Sequence, residues 1–258
     1  MIDVHNLTFG YSSDSEKNIL RGVDFVAHTG KLTAVIGTNG AGKSTLLKTI
    51  IGILPGKGDI QINGKPTAAY TSEELSSTVS YLSQDNDCKI NLSVFEVVML
   101  GRMGSMSFRV KEEDIRATED VLKRLNMQEL ASRSIMALSG GQRQLVFIAQ
   151  TLVKEPSVLL LDEPTSALDL HKQFKLLTLL KRLTQENQFT TLLTLHHLDL
   201  AAKFADEIIV LKNGEVYAQG VPQKIFTERM MEAVYRVKTK VYVDEHDVPH
   251  VIPLEAIP

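Results

Sequence analysis

Leu32-Thr33-Ala34-Val35-Ile36-Gly37-Thr38-Asn39-Gly40-Ala41-Gly42-Lys43-Ser44-Thr45 is the stretch on which the fold turns. Its first five residues are apolar or β-branched, as in a strand buried on both faces. The next eight, Gly37 to Ser44, fit the pattern G-x-x-x-x-G-K-[ST]. Leu46, Leu47, Ile50 and Ile51 then recur at helical spacing until Gly52 and Pro55 stop the segment. Strand, glycine-rich loop and helix in that order predict a phosphate cradle. Glycine lets successive backbone N–H groups turn inward, and the following helix adds the positive end of its dipole. The loop from Gly37 through Asn39, Gly40, Ala41 and Gly42 to Thr45 is therefore the candidate nucleotide-binding segment. Lys43 supplies a point charge for the β- and γ-phosphates, and the Ser44 hydroxyl is placed to ligate the magnesium that accompanies them.

Further along, Val158-Leu159-Leu160-Leu161-Asp162-Glu163 sets two carboxylates at the end of an apolar run, where a parallel sheet opens its binding crevice. Asp162 suits the metal side, and Glu163 is free to orient a water and accept its proton. On their own, adjacent acids after a strand fit a solvated turn or a helix cap better than a catalytic pair; the glycine loop reverses that reading. After Val158 to Leu161, strand signals return at Thr190 to Leu195 and Ile208 to Leu211, with a helical stretch around Phe174 to Leu183 between the first two of the three. That alternation implies a parallel sheet, and Asn213-Gly214 marks a tight hairpin after it. From 85 to 156 the pattern turns helical, with Ile115, Leu122 and Leu125 on one face and Leu145, Ile148, Ala149, Leu152 and Val153 on another. Alternation in the tail, as at Val241-Tyr242-Val243, suggests short strands, and His246 and His250 there read as a solvated tail before a metal site.

Composition narrows the class. The chain has 258 residues, with 43% hydrophobic and 23% charged, near globular averages. A net charge of -3 gives no broad basic field for a phosphate backbone, so nucleic acid is not an expected partner. The single cysteine, Cys88, makes no internal disulfide and fits a reducing compartment. No secretory signal opens the chain, and no apolar run approaches the ~20 residues of a membrane-crossing helix.

With those two sites fixed, nearly the whole chain resembles the ATP-binding cassette family. Leu138-Ser139-Gly140-Gly141-Gln142 matches the family signature. The resemblance implies that Ser139, Gly140, Gly141 and Gln142 grip the γ-phosphate of ATP held by a second subunit, so the ATPase works as a dimer. Read alone, Ser139 is a helix cap. Tyr11 matches the aromatic residue that stacks on adenine, and Gln84 the glutamine that reaches magnesium and the attacking water. Ser166-Ala167-Leu168-Asp169 matches the loop that crosses the dimer interface, and His196 the histidine contacting the γ-phosphate. The family usually follows that histidine with aspartate; here His197 follows, leaving it as an alternative assignment.

The fold implied is α/β: a P-loop NTPase core with a mostly parallel sheet, an antiparallel β subdomain and a helical insertion subdomain. It would form a single ABC ATPase domain over 1–258. Residues 1–84 and 157–230 make the nucleotide-binding core with its β subdomain, 85–156 the helical subdomain and 231–258 a short tail. Ser93 to Arg102 looks like the ATPases of importers for iron chelates (siderophores), haem or cobalamin. That resemblance implies two ATPase subunits on integral membrane permease subunits at the cytoplasmic face of the membrane, served indirectly by an extracytoplasmic substrate-binding protein. The helical insertion would dock on the permease, with the surface near Glu96 and Arg102 as the candidate contact. Two other uses of the cassette compete: a soluble ATPase of iron-sulfur assembly, and an importer for another substrate.

Overall fold

The computed structural model describes residues 1–12, 18–84, 91–103 and 110–257; Cys88 lies outside them. The principal sheet has six strands in the order β10-β9-β3-β8-β7-β6. These are β3 (Leu32–Ile36), β6 (Val79–Leu82), β7 (Val158–Leu161), β8 (Thr190–Thr194), β9 (Glu207–Lys212) and β10 (Glu215–Gly220). All neighbours are parallel except β10, which turns back on β9 through Asn213 and Gly214, both at positive φ. A four-stranded antiparallel sheet lies beside it in the order β2-β1-β4-β5, formed by β1 (Ile2–Phe9), β2 (Leu20–Ala27), β4 (Lys57–Ile62) and β5 (Lys65–Pro66).

Alternation along β3 explains the layering. Val35 joins Leu160, Leu192 and Ile209 in a core shared with the antiparallel sheet and with Leu46, Leu47 and Ile50 of helix α1 (Lys43–Ile50). Ala34 and Ile36 point to the opposite side and join Leu159, Leu161 and Leu193 in a second core. That second core is covered by the long helices. The short α2 (Ser72–Thr78) leads into β6; then come α3 (Val94–Met99), α4 (Glu112–Arg124) and α5 (Gly140–Leu152) between β6 and β7. Helix α6 (Leu170–Glu186) links β7 to β8, and α7 (Leu198–Phe204) links β8 to β9.

One sequence expectation needs correction. Ile115 does not face inward; it is 39% exposed, and the buried stripe of α4 is Thr118, Val121 and Leu122. Thr118 tolerates burial because its hydroxyl donates to the Asp114 carbonyl 2.7 Å away. Near the candidate docking surface, Glu96 and Arg102 both have partners within the chain. The Glu96 carboxylate accepts from the amide and hydroxyl of Ser93, closing the capping box of α3. Arg102 pairs with Asp114 at 2.9 Å and reaches the Val153 carbonyl, so it ties α3 to α4 and α5. The tail forms a hairpin of β11 (Val237–Val243) and β12 (Pro249–Ala256). His250 Nε2 there donates to Asp244 Oδ2 at 3.0 Å, and its ring stacks on Tyr242. Among the described residues no cluster suited to a metal ion gathers around it.

Candidate active site

The loop between β3 and α1 is glycine-dependent in specific places. Gly37 has φ 150°, and a Cβ there would sit 2.3 Å from the Leu211 carbonyl oxygen at the end of β9. Gly42 caps α1 at φ 101° with no side-chain acceptor for the first-turn amides, and no acid occupies that turn. Those amides and the dipole behind them are left for an external anion. The Lys43 ammonium lies inside the loop, donating to the Gly37 carbonyl at 2.8 Å and the Thr38 carbonyl at 3.0 Å. Burial lowers its pKa, and the charges of Glu163 and Asp162 oppose that shift.

Across the sheet, β7 delivers Asp162 and Glu163 to the same place. Asp162 is fully buried, and its Oδ1 accepts from Ser44 Oγ at 3.0 Å and Thr194 Oγ1 at 2.8 Å. Its Oδ2 is buried with no hydrogen-bond partner among the described residues. Burial raises the Asp162 pKa, and the hydroxyls of Ser44 and Thr194 hold it back. An oriented carboxylate oxygen without a protein donor, next to a serine hydroxyl, is a donor set for a hard divalent cation. The residues present therefore fit magnesium.

Glu163 adopts φ 50°, a left-handed conformation that a side chain takes only when its surroundings impose it. They do. Its amide donates to Thr194 Oγ1 at 2.7 Å, and its carbonyl accepts from the amide and hydroxyl of Ser166. The bend turns its carboxylate onto two polar groups from other segments: Gln84 Nε2 donates to Oε2 at 3.0 Å, and His196 Nε2 meets Oε1. Gln84, Glu163 and His196 line a groove of about 410 Å³ together with Asn39, Gly40, Lys43 and Ser44. His197 instead stands at the N-cap of α7 and makes no capping bond.

Three groups of expected site residues lie elsewhere. Tyr11 is 75% exposed, packs edge-on against Phe9 and lines a separate groove with Asn18 and Lys57. Ser139 caps α5 in a capping box, accepting from the Gln142 amide while the Gln142 side chain accepts from Ser139 N. Asp169 caps α6 and pairs with Lys172. Neither segment lines the Lys43 groove.

Other residues of the site escaped the sequence reading. Thr194 bridges both carboxylate residues, yet in sequence it is only the last of several β-branched strand positions. Gln144, buried in α5, donates to the Pro164 carbonyl at 3.3 Å and so ties the signature helix to the turn after Glu163. Tyr235, preceding the tail hairpin, has its hydroxyl pKa raised by burial, with the Gly37 backbone acting against it. Only the fold brings it there.

Residues 20–166 match the ABC transporter family model. The chain belongs to the ABC transporter family. The cassette is 34% identical to the ferric enterobactin transport ATP-binding protein of Escherichia coli (strain K12), covering 96% of this chain and 92% of that protein. It is 35% identical to the iron(3+)-hydroxamate import ATP-binding protein of Bacillus subtilis (strain 168), covering 94% and 90%. Among solved structures it resembles a metal-chelate type ABC transporter in an inward-facing conformation, at TM-score 0.83 and 30% identity, covering 98% and 97%. A dimeric ATP-binding cassette bound to ADP and phosphate gives TM-score 0.76 at 29% identity, covering 86% and 99%. The protein is an ABC ATPase with an α/β cassette fold and binds ATP. No helix among the described residues is long and apolar enough to cross a membrane.

Proposed function

We propose that this cassette hydrolyses ATP to drive import of an iron chelate, as a homodimer on the cytoplasmic side of integral membrane permease subunits. One observation carries the chemistry: Gln84, Glu163 and His196 converge on the groove that holds Lys43 and Ser44. The amides from Gly37 to Thr45 bind the phosphate chain, and Lys43 exchanges its loop carbonyls for phosphate oxygens. Glu163 orients a water and takes its proton while the water oxygen bonds to the γ-phosphorus and the bond to ADP breaks. His196 and Gln84 fix the Glu163 carboxylate and border the γ-phosphate. Ser44 and Asp162, with Gln84 as a further ligand, would hold magnesium, which would supply positive charge to the phosphate oxygens.

One P-loop covers one side of the γ-phosphate. Ser139 to Gln142 and Asp169, which lie apart from the groove, complete the other side from a second copy; the related cassette's dimer with ADP and phosphate supports this. The iron-chelate assignment rests on the enterobactin and hydroxamate relatives, and it brings in the permease, with residues 85–156 as its docking part, and an extracytoplasmic binding protein. In vesicles carrying the permease subunits, ATP should drive uptake of a ferric siderophore, and this chain should co-purify with an integral membrane protein. Co-purification with soluble iron-sulfur assembly proteins and no uptake would overturn the reading.

A further inference from the structure

A second groove lies outside the nucleotide site. It runs between α6 and the corner where α4 ends against α5, with a volume of about 460 Å³. His171, Lys175, Thr178 and Arg182 follow one another along α6 at spacings of four, three and four residues, which places them in one stripe. At 1.5 Å per residue that stripe is about 17 Å long. Lys172 and Arg124 add two more cations at the edges, and no acidic residue lines the groove. This is unusual in a chain whose net charge is -3.

Lys172 and Arg182 have acidic neighbours, Asp169 and Glu186. Among the described residues, no carboxylate lies within ion-pair distance of Arg124 or Lys175. The floor is apolar: Leu145 from α5, Leu125 after α4, and Phe174 and Leu179 from α6. Phe174 remains 37% exposed. The neighbouring cavity between α4 and the far end of α6 is charge-mixed, with Glu113, Asp120 and Glu155 among its lining. The single-sign rim is therefore a property of this groove and not of the whole α4–α6 surface.

Exposed cations over an apolar floor select a ligand that brings carboxylates and hydrocarbon at helical spacing. We propose that this groove docks an acidic amphipathic segment of a partner protein, whose apolar face covers Leu145 and Phe174 while its carboxylates meet Lys175 and Arg124. An occupant held there touches α6 of the core and α5 of the insertion together. It would thus clamp the signature helix against the nucleotide-binding half.

The test uses the full chain and a fluorescent peptide of about 14 residues with Leu and Glu at helical spacing, long enough to span the stripe. Fluorescence anisotropy should show saturable binding that weakens between about 50 and 500 mM salt. Arg124→Glu with Lys175→Glu should weaken it at least tenfold, with melting temperature and basal ATPase unchanged. Leu145→Ala alone should weaken it several-fold without changing the salt dependence. Equal binding by the double variant, equal binding of a peptide with Lys in place of Glu, or capture only by phosphatidylglycerol vesicles would each overturn the proposal.

Discussion

Thr194→Val isolates the hydroxyl that joins the two carboxylate residues. Valine keeps the shape of threonine and its preference for strand, so the change acts through hydrogen bonds. Thr194 is fully buried, donates to Asp162 Oδ1 at 2.8 Å and accepts from the Glu163 amide at 2.7 Å. A bond to a charged group contributes about 1.5–3 kcal/mol, and a stranded buried N–H costs about 1–3 kcal/mol. The extra buried methyl returns about 1 kcal/mol, which leaves a net loss of about 3 kcal/mol. For a chain of this size that lowers the melting temperature by about 6–12 °C. Unfolding should be followed by circular dichroism with chelator and without nucleotide, so that metal binding does not enter. Repeating the change in Asp162→Asn should cost at least about 1 kcal/mol less, because the acceptor is then neutral. A loss below about 1 kcal/mol, or no coupling between the two changes, would refute the claim that this hydroxyl orders Asp162 and Glu163.

Glu163→Gln should bind ATP and form a stable dimer with turnover reduced at least about a hundredfold; adding Ser139→Arg should abolish the dimer by light scattering while monomeric ATP binding survives. Tyr11→Ala should raise the ATP dissociation constant several-fold, and GTP should bind nearly as well as ATP; unchanged affinity in a titration removes Tyr11 from the base site. Asp244 is held at a pKa of about 2, first by the His250 side chain and then by the Val248 amide. A depressed carboxylate contributes stability above its ordinary pKa and loses it as pH falls toward the folded value, so Asp244→Asn should flatten the acid limb of the stability profile between about pH 4 and 2. An identical acid limb in both proteins counts against a stabilising Asp244–His250 bond.

The strand Leu32–Ile36 and the hairpin around Asn213-Gly214 were legible because each is a local matter: an apolar run, and a dipeptide that accepts positive φ. Ser139 as a helix cap was legible for the same reason. The sheet order was not. β3 lies between β8 and β9, strands more than 150 residues away, and periodicity states which face is buried without naming the neighbour. The same limit hid Thr194 and Tyr235, whose polar groups matter only because the fold brings distant residues against them. Ile115 failed differently. It has the helical phase of a core residue, but it sits in the first turn of α4, and the packing begins with Thr118.

Gln144 gives the cassette a mechanical property that neither half of its site has alone. Its amide joins α5 to the Pro164 carbonyl, one residue past Glu163. The Ser139 cap at the front of α5 is exposed, on the side the proposed dimer would cover, while Pro164 directly follows Glu163, the proposed general base. A roll of α5 therefore pulls on the backbone beside a left-handed residue, where small torsions swing a side chain far. On the proposed mechanism each protomer senses through Ser139 how closely it is held and expresses that as the aim of its own Glu163, so grip and chemistry share one linkage less than two helical turns long.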